Sequence, residues 1–368
     1  MNVRNSIRIT SLSLVALFVP SFASGQLADE PDPRGILRKP IPEKLVVLTF
    51  DDGCASHATF VAPILKEMGF GGTFYISNAF SFNTRKDWYL TWRQIKEMAD
   101  NGFEIGNHTH GHRGGASIGP FLRMEEQLQT NKLPKPTTVC WPVYHVNTKT
   151  FPDLTRHGYL FGRGGHERPY RPAEDHPFDI PSFTIKDRHT VTHVIDRVRQ
   201  ATAGRIVVLT FHGVPDEEHP PVSVEPSLFR QMMQYLKQNG YTCISMRDLA
   251  NYVDPIKAAK LPPTERNVKL EPTEPASESK PMALSEIVEF NVWGVHTFRK
   301  GETIDLVNIN DVDITTIRPT ITVSGGATVS PASREPVDLT TPQTYVVTAA
   351  DGTTKEYTVS IRSKGEQE

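Results

Sequence analysis

The stretch LVVLTFDDG, residues 45–53, decides how the first half of this chain folds. Leu45–Phe50 is an almost unbroken run of apolar and β-branched residues, which is typical of a strand buried on both faces. Two carboxylates, Asp51 and Asp52, follow directly, and a glycine then allows the chain to turn. We therefore expect a buried parallel strand that ends in a pair of acidic side chains.

Strand and helix patterns alternate along the chain from this stretch onward. The further predicted strands are Thr73–Ile76, Phe103–Ile105, Tyr159–Phe161, Ile206–Phe211 and Tyr241–Ile244. Predicted helices lie between them at 62–68, 92–99, 148–157, 191–201 and 228–236, and most of them end at or near a glycine, a common helix stop signal. This alternation predicts an α/β domain over residues 44–254, built on a parallel sheet or barrel.

The N-terminal residues have the pattern of a targeting signal. Arg4 and Arg8 precede the apolar stretch Leu12–Phe22, and small residues follow it. This order predicts a secretory signal peptide over residues 1–25, with a short membrane anchor as the alternative. Residues 26–43 are Pro-rich and predict an extended lead-in. No later segment has the roughly 18 apolar residues of a spanning helix. We expect a secreted, periplasmic or cell-surface protein.

The C-terminal third differs in composition from the α/β domain. Residues 255–283 combine proline with lysine, glutamate and serine, which predicts a semi-extended linker. Residues 284–363 contain short runs of strand formers separated by turn signals, which predicts a small immunoglobulin-like β-sandwich without a disulfide. In this domain Trp293 and Tyr345 are either a sugar-stacking platform or part of the core.

Charge and cysteine content exclude several classes of protein. The 368 residues include 40 Lys and Arg against 42 Asp and Glu, a net charge of −2. Such a chain has no overall basic field for nucleic acid, so we expect no nucleic-acid partner. Cys54, Cys140 and Cys243 form no CxxC pair, which disfavours a thiolate metal site. One disulfide is possible, and the sequence does not pair it.

Three short motifs carry the side chains that could do chemistry. They are the Asp51-Asp52 pair, the segment HTHGH from His108 to His112, and the segment TFHG that contains His212. Each has an ordinary explanation: a turn or helix cap, a solvated polar loop, and a structural histidine, respectively. However, all three follow predicted strands, and functional groups in α/β proteins collect at the carboxyl ends of strands. A carboxylate with two neutral imidazoles is a ligand set for catalytic zinc or a similar divalent ion.

The motifs TFDDG, HTHGH and LTFHG, in this order, resemble those of the NodB-type polysaccharide deacetylases, carbohydrate esterase family four. The resemblance covers roughly residues 44–254 and implies a distorted (β/α) barrel of about seven strands. It also implies a divalent ion, Zn²⁺ or another transition metal such as Co²⁺ or Ni²⁺. Carried over by motif, the site residues are Asp52, His108 and His112 as metal ligands, Asp51 as general base and His212 as general acid. His110 is not a family ligand.

The third family motif departs from the usual pattern in this chain. Cys140 stands where the family has an arginine that steadies the catalytic aspartate, and Arg163 is the candidate substitute. The family's oxyanion-holding backbone N–H falls on Tyr144. The following loop, residues 164–177, is rich in His, Arg and Pro and either contacts the substrate or is structural.

The resemblance implies a metal-dependent hydrolase that removes acetyl groups from an acetylated polysaccharide, with N-acetyl preferred over O-acetyl. Chitin-like, peptidoglycan-like and exported polysaccharides remain open as substrates, as does ester hydrolysis. The alternative is a non-catalytic carbohydrate-binding or adhesive surface protein built on a deacetylase barrel, which the missing arginine and the appended β-domain favour. The C-terminal domain resembles surface-associated immunoglobulin-like repeats of bacterial proteins, which implies contact with the cell surface.

Overall fold

The computed structural model describes residues 32–186, 188–266, 285–292, 295–308, 312–324 and 327–363. The predicted signal peptide and Trp293 lie outside these residues. Within the described ranges, no helix combines the length and the apolar character needed to cross a bilayer.

Eight parallel strands form the sheet of the first domain. They are β1 (Leu45–Phe50), β2 (Thr73–Ile76), β3 (Glu104–Asn107), β4 (Thr138–Cys140), β5 (Phe161–His166), β6 (Ile180–Thr184), β7 (Val207–Phe211) and β8 (Thr242–Ile244). The strands β2 to β7 are neighbours in sequence order, β7 pairs with β1, and β1 pairs with β2, so seven strands close into a barrel. The predicted (β/α) barrel of about seven strands is confirmed.

The barrel closes through only part of β1. Thr49 and Phe50, at the carboxyl end of β1, pair with the start of β2. Leu45–Val47, at the amino end of β1, pairs with β8 instead. Strand β8 therefore covers the part of the β1 edge that β2 does not reach.

In the described part of the chain, seven α-helices connect or flank these strands. They are α1 (Ala62–Met68), α2 (Trp92–Asp100), α3 (Ile118–Thr130), α4 (Phe151–Arg156), α5 (Val191–Val198), α6 (Pro226–Gln238) and α7 (Pro255–Ala258). Local signals set several of their ends. Thr91 and Gln94 form a capping box at the start of α2, and Gly69 ends α1 with a φ of 70°.

The side chains of β1 alternate between two cores because successive residues of a strand point to opposite faces. Val46 and Phe50 join a cluster with side chains of the surrounding helices, whereas Leu45 and Val47 join a second cluster. That second cluster also contains side chains from β5, β6 and β7, so it fills the inside of the barrel. Asp51 continues the inward-facing row of Leu45 and Val47. The strand pattern therefore directs this carboxylate into the barrel.

The middle of the barrel differs from the prediction. The strand expected at Tyr159–Phe161 begins at Phe161 and runs to His166, while β4, β6 and α3 were not predicted. Strand β5 reads FGRGGH, and glycine weakens a strand pattern. Its glycines make room for a neighbouring segment, since a Cβ at Gly162 would lie 2.9 Å from the Phe178 carbonyl oxygen.

Residues 255–266, predicted as the start of the linker, pack on the barrel. Helix α7 places Ala258 in the inner core. The Thr264 hydroxyl accepts a hydrogen bond from the His176 N–H at 2.9 Å, and Arg168 donates to the Glu265 carbonyl at 2.9 Å. The predicted linker residues 267–283 lie outside the described residues.

In the described residues of the C-terminal domain, two β-sheets surround one core. Its strands are β9 (Ile287–Asn291), β10 (Val295–Lys300), β11 (Thr303–Asn308), β12 (Thr320–Val323), β13 (Thr328–Ser330), β14 (Gln343–Thr348) and β15 (Thr354–Ser363). The sheet order is β10-β11-β15-β14-β13 for one sheet, and β12 pairs with β9 in the other. Tyr345 is fully buried edge-on against Phe290, so it is a core residue. The expected all-β domain is present, and its immunoglobulin-like character stays a prediction.

Candidate active site

The three sequence motifs meet at one end of the barrel. Asp51 and Asp52 follow β1, His108 follows β3, and His212 follows β7, so each lies at the carboxyl end of its strand. The backbone is strained there: φ is 69° at Asp52 and 49° at His112, in a region that non-glycine residues rarely adopt. Strain of this kind clusters at functional sites because only a surrounding constraint maintains it.

Asp52, His108 and His112 form a compact cluster of potential metal ligands. The Asp52 Oδ1 lies 3.4 Å from the His108 Nε2 and 3.5 Å from the His112 Nε2. This oxygen is buried and has no hydrogen-bond partner. The other ring nitrogen of His108, Nδ1, lies 3.1 Å from the Cys140 carbonyl oxygen and donates to it, which leaves Nε2 to face the cluster.

The charges of two members of this cluster, Asp52 and His112, suit metal ligation. Burial raises the pKa of Asp52, but the nearby imidazoles of His108, His212 and His112 outweigh burial and hold this pKa well below its usual range. Burial, together with His108, lowers the pKa of His112 to about 4. Asp52 is therefore an anion and His112 a neutral imidazole at neutral pH, the forms in which these side chains bind metal.

The donor set fits a divalent transition metal. Two imidazole nitrogens and one unpartnered carboxylate oxygen lie within 4.8 Å of one another, as in catalytic sites of zinc and related ions. A second group, Asp51, His108 and Cys140, meets the same distance limit. However, the Arg163 guanidinium contacts both Asp51 and Cys140, and its positive charge disfavours a second cation there.

Arg163 lies beside the other aspartate of the pair. Its Nη2 is 2.5 Å from the Asp51 Oδ2, and the two side chains are 0% and 3% exposed. Burial lowers the pKa of Arg163, but the Asp51 carboxylate and the neighbouring side chains together outweigh burial and raise this pKa above its usual value, so Arg163 keeps its positive charge. Arg163, the candidate substitute for the missing family arginine, thus contacts Asp51, the aspartate that it was expected to orient.

Side chains from several strands hold Arg163 in this position. Its Nη1 donates to the Thr210 hydroxyl of β7 at 2.5 Å, and that hydroxyl donates to the Ser182 hydroxyl of β6 at 3.0 Å. Cys140 of β4 contacts Nη2, and the Tyr75 ring of β2 lies 5.7 Å from the guanidinium carbon. Contacts with so many strands are possible only inside a closed barrel.

His212 lies opposite, at the rim of the cluster. Its Nε2 is 3.9 Å from the Asp52 Oδ2, and its Nδ1 has no hydrogen-bond partner. The fully buried His57 supports its backbone, since the His57 Nε2 donates to the His212 carbonyl at 3.0 Å. Burial lowers the pKa of His57 to about 4, which keeps it neutral. His57 was not predicted as a site residue, because nothing in its local pattern distinguishes it from an ordinary helical residue.

Tyr144 does not present a free backbone donor. Its N–H donates to the Trp141 carbonyl at 3.0 Å, within a tight turn. Its hydroxyl forms a hydrogen bond with the Thr184 hydroxyl at 2.7 Å, and its ring centroid lies 5.4 Å from the Arg163 guanidinium carbon. The expected oxyanion role of Tyr144 stays a prediction, and the observed contacts give it a packing role beside Arg163.

The loop 164–177 contains a buried ion pair. In the loop 164–177, Arg168 makes a buried two-pronged ion pair with Asp175. These contacts favour the structural interpretation of that loop over substrate contact.

The three cysteines, Cys54, Cys140 and Cys243, are all free and buried, so the disulfide that the sequence left possible is not formed. Among the described residues, His110 is in neither of the two candidate ligand groups.

The closed parallel barrel, with its polar cluster at the strand carboxyl ends, defines an α/β-barrel protein with its site in the usual place for that class. Residues 38–162 match the polysaccharide deacetylase family, and residues 289–361 match the family described as SGBP, N-terminal. The match over residues 38–162 confirms the resemblance to the polysaccharide deacetylases that the motifs showed.

Individual proteins show the same similarity. The chain is 30% identical over 126 residues to YxkH of Bacillus subtilis, whose name places it among the polysaccharide deacetylases; the match covers 33% of this chain and 44% of that protein. It is 25% identical over 235 residues to the peptidoglycan-N-acetylglucosamine deacetylase of Bacillus cereus, covering 61% of this chain and 98% of that one. The structure of Bacillus subtilis PdaA, a family 4 carbohydrate esterase, aligns with a TM-score of 0.39 at 21% identity and covers 57% of this chain and 82% of PdaA.

Proposed function

We propose that this chain is an exported, metal-dependent hydrolase that removes acetyl groups from a polysaccharide, with N-acetyl preferred over O-acetyl. The observation that carries the proposal is the pairing of two differently held aspartates. Asp52 faces two imidazoles with an unpartnered oxygen, whereas Asp51 is fixed by an arginine. One carboxylate is thus placed to hold an ion and the other to handle a proton.

Asp52, His108 and His112 would hold the ion, with Zn²⁺ as the first choice and Co²⁺ or Ni²⁺ as alternatives. A bound divalent ion supplies Lewis-acid polarisation of the acetyl carbonyl and lowers the pKa of a water to about 7.

Asp51 is suited to accept the proton of the attacking water. Its Oδ2 is occupied by Arg163, while its Oδ1 is buried and without a hydrogen-bond partner. The ion pair therefore fixes the carboxylate and leaves one oxygen as the proton acceptor. His212, at the rim, would give a proton to the leaving nitrogen, since a positioned imidazole is an effective general acid near neutral pH.

The similarity to the Bacillus cereus protein supports an N-acetylated amino sugar as the substrate. The same groups suit hydrolysis of an acetyl ester. The preference for N-acetyl over O-acetyl therefore rests on the similarity to the Bacillus cereus protein and not on the geometry of the site. The non-catalytic alternative was favoured by the missing family arginine, and the Arg163–Asp51 ion pair removes that argument. We also propose that the signal-like residues 1–25 direct export and that the C-terminal domain contacts the cell surface.

Acetate release measured together with metal content tests the proposal. Residues 26–368 would be given chito-oligosaccharides, peptidoglycan and acetylated xylan as isolated, after chelation, and after reloading with zinc. We expect acetate release that is lost with the metal and restored by zinc. Preference for chito-oligosaccharides or peptidoglycan would show amide specificity, and preference for acetylated xylan would show ester specificity. A chain with neither bound metal nor acetate release would favour the non-catalytic alternative, and metal without acetate from any glycan would refute the substrate class.

A further inference from the structure

A cleft between α4 and the segment 256–263 is separate from the metal cluster and from the aspartate–arginine pair. The segment contains the end of α7 and the residues that follow it. The volume of this α4 cleft is about 670 Å³, within the range of about 300–1,000 Å³ that is typical of small-ligand sites. None of the proposed catalytic or metal-binding residues lines it.

Both walls of the α4 cleft are anchored. On one wall, Ala258 lies in the inner core, and the Thr264 hydroxyl accepts a hydrogen bond from the His176 N–H at 2.9 Å. On the other wall, Phe151 is 6% exposed and stacks on the His176 ring, with the two ring centroids 4.3 Å apart. The cleft is therefore held open by buried contacts and is formed before any ligand binds.

The open surface of the cleft is mainly aliphatic. Ile256, on the wall formed by α7, is 65% exposed. Pro152 and Pro263 are exposed on opposite walls, and Leu261 is half-buried beside them. A ligand with an aliphatic chain would remove these side chains from water, which stabilises a complex in proportion to the apolar area covered.

The polar groups at the base of the cleft already have partners within the protein. The His176 Nδ1 accepts a hydrogen bond from the Phe178 N–H at 3.1 Å, and its other ring nitrogen donates to the Ala259 carbonyl. The Thr155 hydroxyl donates to the Phe151 carbonyl at 3.2 Å. A sugar or a peptide backbone would find few partners here, and burying a polar group without a partner costs free energy.

Two lysines give the cleft a positive charge. Lys149 precedes α4 and Lys260 follows α7, so one lies on each wall. Neither forms an ion pair with a described residue, and no Asp or Glu is among the described residues that line the cleft. Burial lowers the pKa of His176 to about 4, so this histidine is neutral at neutral pH and only the lysines are charged. A lysine can place its methylene groups along an apolar wall and keep its ammonium group at the edge.

We propose that the α4 cleft binds a small anionic ligand with an aliphatic chain, of the chemical class of a fatty-acid carboxylate. The chain covers Ile256 and the exposed prolines, and the carboxylate interacts with Lys149 and Lys260. A membrane surface needs an exposed apolar face, whereas a cleft with two walls accepts a single chain. Because none of the proposed site residues lines the cleft, this binding is independent of the proposed function.

Calorimetric titration with dodecanoate at neutral pH, below the concentration at which it forms micelles, tests the proposal. Residues 26–368 would be compared as wild type, as the double variant Lys149→Met/Lys260→Met, as Ile256→Ala and as the control Lys257→Met. Lys257 lies on α7 next to Ile256 but does not line the cleft. Lys149 and Lys260 are exposed, so their replacement should leave the fold intact, which circular dichroism would check.

We expect wild type to bind one dodecanoate per chain. The double variant should bind it about tenfold more weakly, equivalent to about 1.4 kcal/mol. Ile256→Ala should bind it about fivefold more weakly, because apolar contact area is lost. Lys257→Met should stay within about twofold of wild type, and a higher salt concentration should weaken binding by screening the lysines.

Two further ligands separate the effect of charge from the effect of the chain. Dodecyltrimethylammonium has the same chain with a positive charge, and trigalacturonate has negative charges without an aliphatic chain. Equal affinity for dodecyltrimethylammonium would overturn the anionic assignment. Tighter binding of trigalacturonate than of dodecanoate would overturn the aliphatic assignment and indicate an acidic sugar. Absence of saturable binding by wild type, or equal affinities of wild type and all three variants, would overturn the proposal as a whole.

Discussion

Replacing Arg163 with methionine isolates the role of the buried ion pair. Methionine fills much of the same volume, but it leaves the Asp51 carboxylate buried without a counter-charge. In wild type the Arg163 Nη2 lies 2.5 Å from the Asp51 Oδ2, and the two side chains are 0% and 3% exposed. Removing one partner of a fully buried pair costs about 3–5 kcal/mol, because the remaining charge is then uncompensated. For a domain of this size the expected fall in Tm is about 10 °C.

The effect on catalysis should also be large. Asp51 would lose the group that fixes its Oδ2, and a misplaced catalytic group costs about 100-fold in kcat. Calorimetry and acetate release measure the two effects. The matched control is Arg156→Met, which breaks the Asp153 ion pair at 2.8 Å; those side chains are 71% and 35% exposed. An exposed pair of this kind contributes at most about 1 kcal/mol, so the control should melt within a few degrees of wild type.

A double variant separates the effect of charge from the effect of packing. Asp51→Asn combined with Arg163→Met removes both charges, so it should be more stable than Arg163→Met alone. Adding Cys140→Arg to Arg163→Met should recover part of the kcat, since the Cys140 Sγ is already 3.7 Å from the Asp51 Oδ2. If Arg163→Met melts like the Arg156→Met control, or if the double variant loses the sum of both single effects, the ion pair does not have the proposed role.

Asp51→Asn should abolish acetate release and keep the bound metal, whereas His108→Ala should lose both; identical behaviour would show that the two aspartates are wrongly assigned. Because burial lowers the pKa of His57 from 6.5 to about 4, the unfolded chain binds a proton that the folded chain does not, so up to about 3 kcal/mol of stability is lost as the pH falls from 6.5 to 4. The urea concentration at the unfolding midpoint should fall less steeply with decreasing pH in His57→Gln than in wild type. Parallel plots of this midpoint against pH would contradict the prediction. Gly106→Ala would place a Cβ against the buried Tyr75 ring, so the free energy of unfolding, measured with urea, should fall by about 1–3 kcal/mol. Titration with zinc should show weaker binding of the ion. An unchanged free energy of unfolding would contradict this packing.

Local patterns were sufficient for much of the barrel. The strand Leu45–Phe50 was predicted with its observed bounds, because six consecutive apolar or β-branched residues have few other stable arrangements. Helix α1 was likewise predicted from its apolar spacing and its terminal glycine. The middle strands were harder. Strand β4 has three residues, and β6 contains Pro181, so neither provides enough periodicity to identify a strand.

The motifs were recognisable because each occupies a few consecutive residues after a strand. Asp52, His108 and His112 could therefore be assigned together from the sequence, and the structure places them within 4.8 Å. Arg163 was only one candidate for the missing arginine, since it lies 112 residues from Asp51 in the chain. His57 gave no signal at all, because its role is a single hydrogen bond to the backbone of a residue 155 positions away.

The sequence by itself determined the type of many elements, the order of the motifs and the family resemblance, since apolar periodicity, turn residues and short motifs are local properties. Only the tertiary structure decided which side chains share the inside of the barrel. Barrel closure brings Arg163 of β5 against Asp51 of β1 and within reach of Thr210 of β7. Such contacts depend on strand order and on the direction of each side chain over long sequence separations. For that reason the two aspartates, adjacent in sequence, were given different partners by the fold.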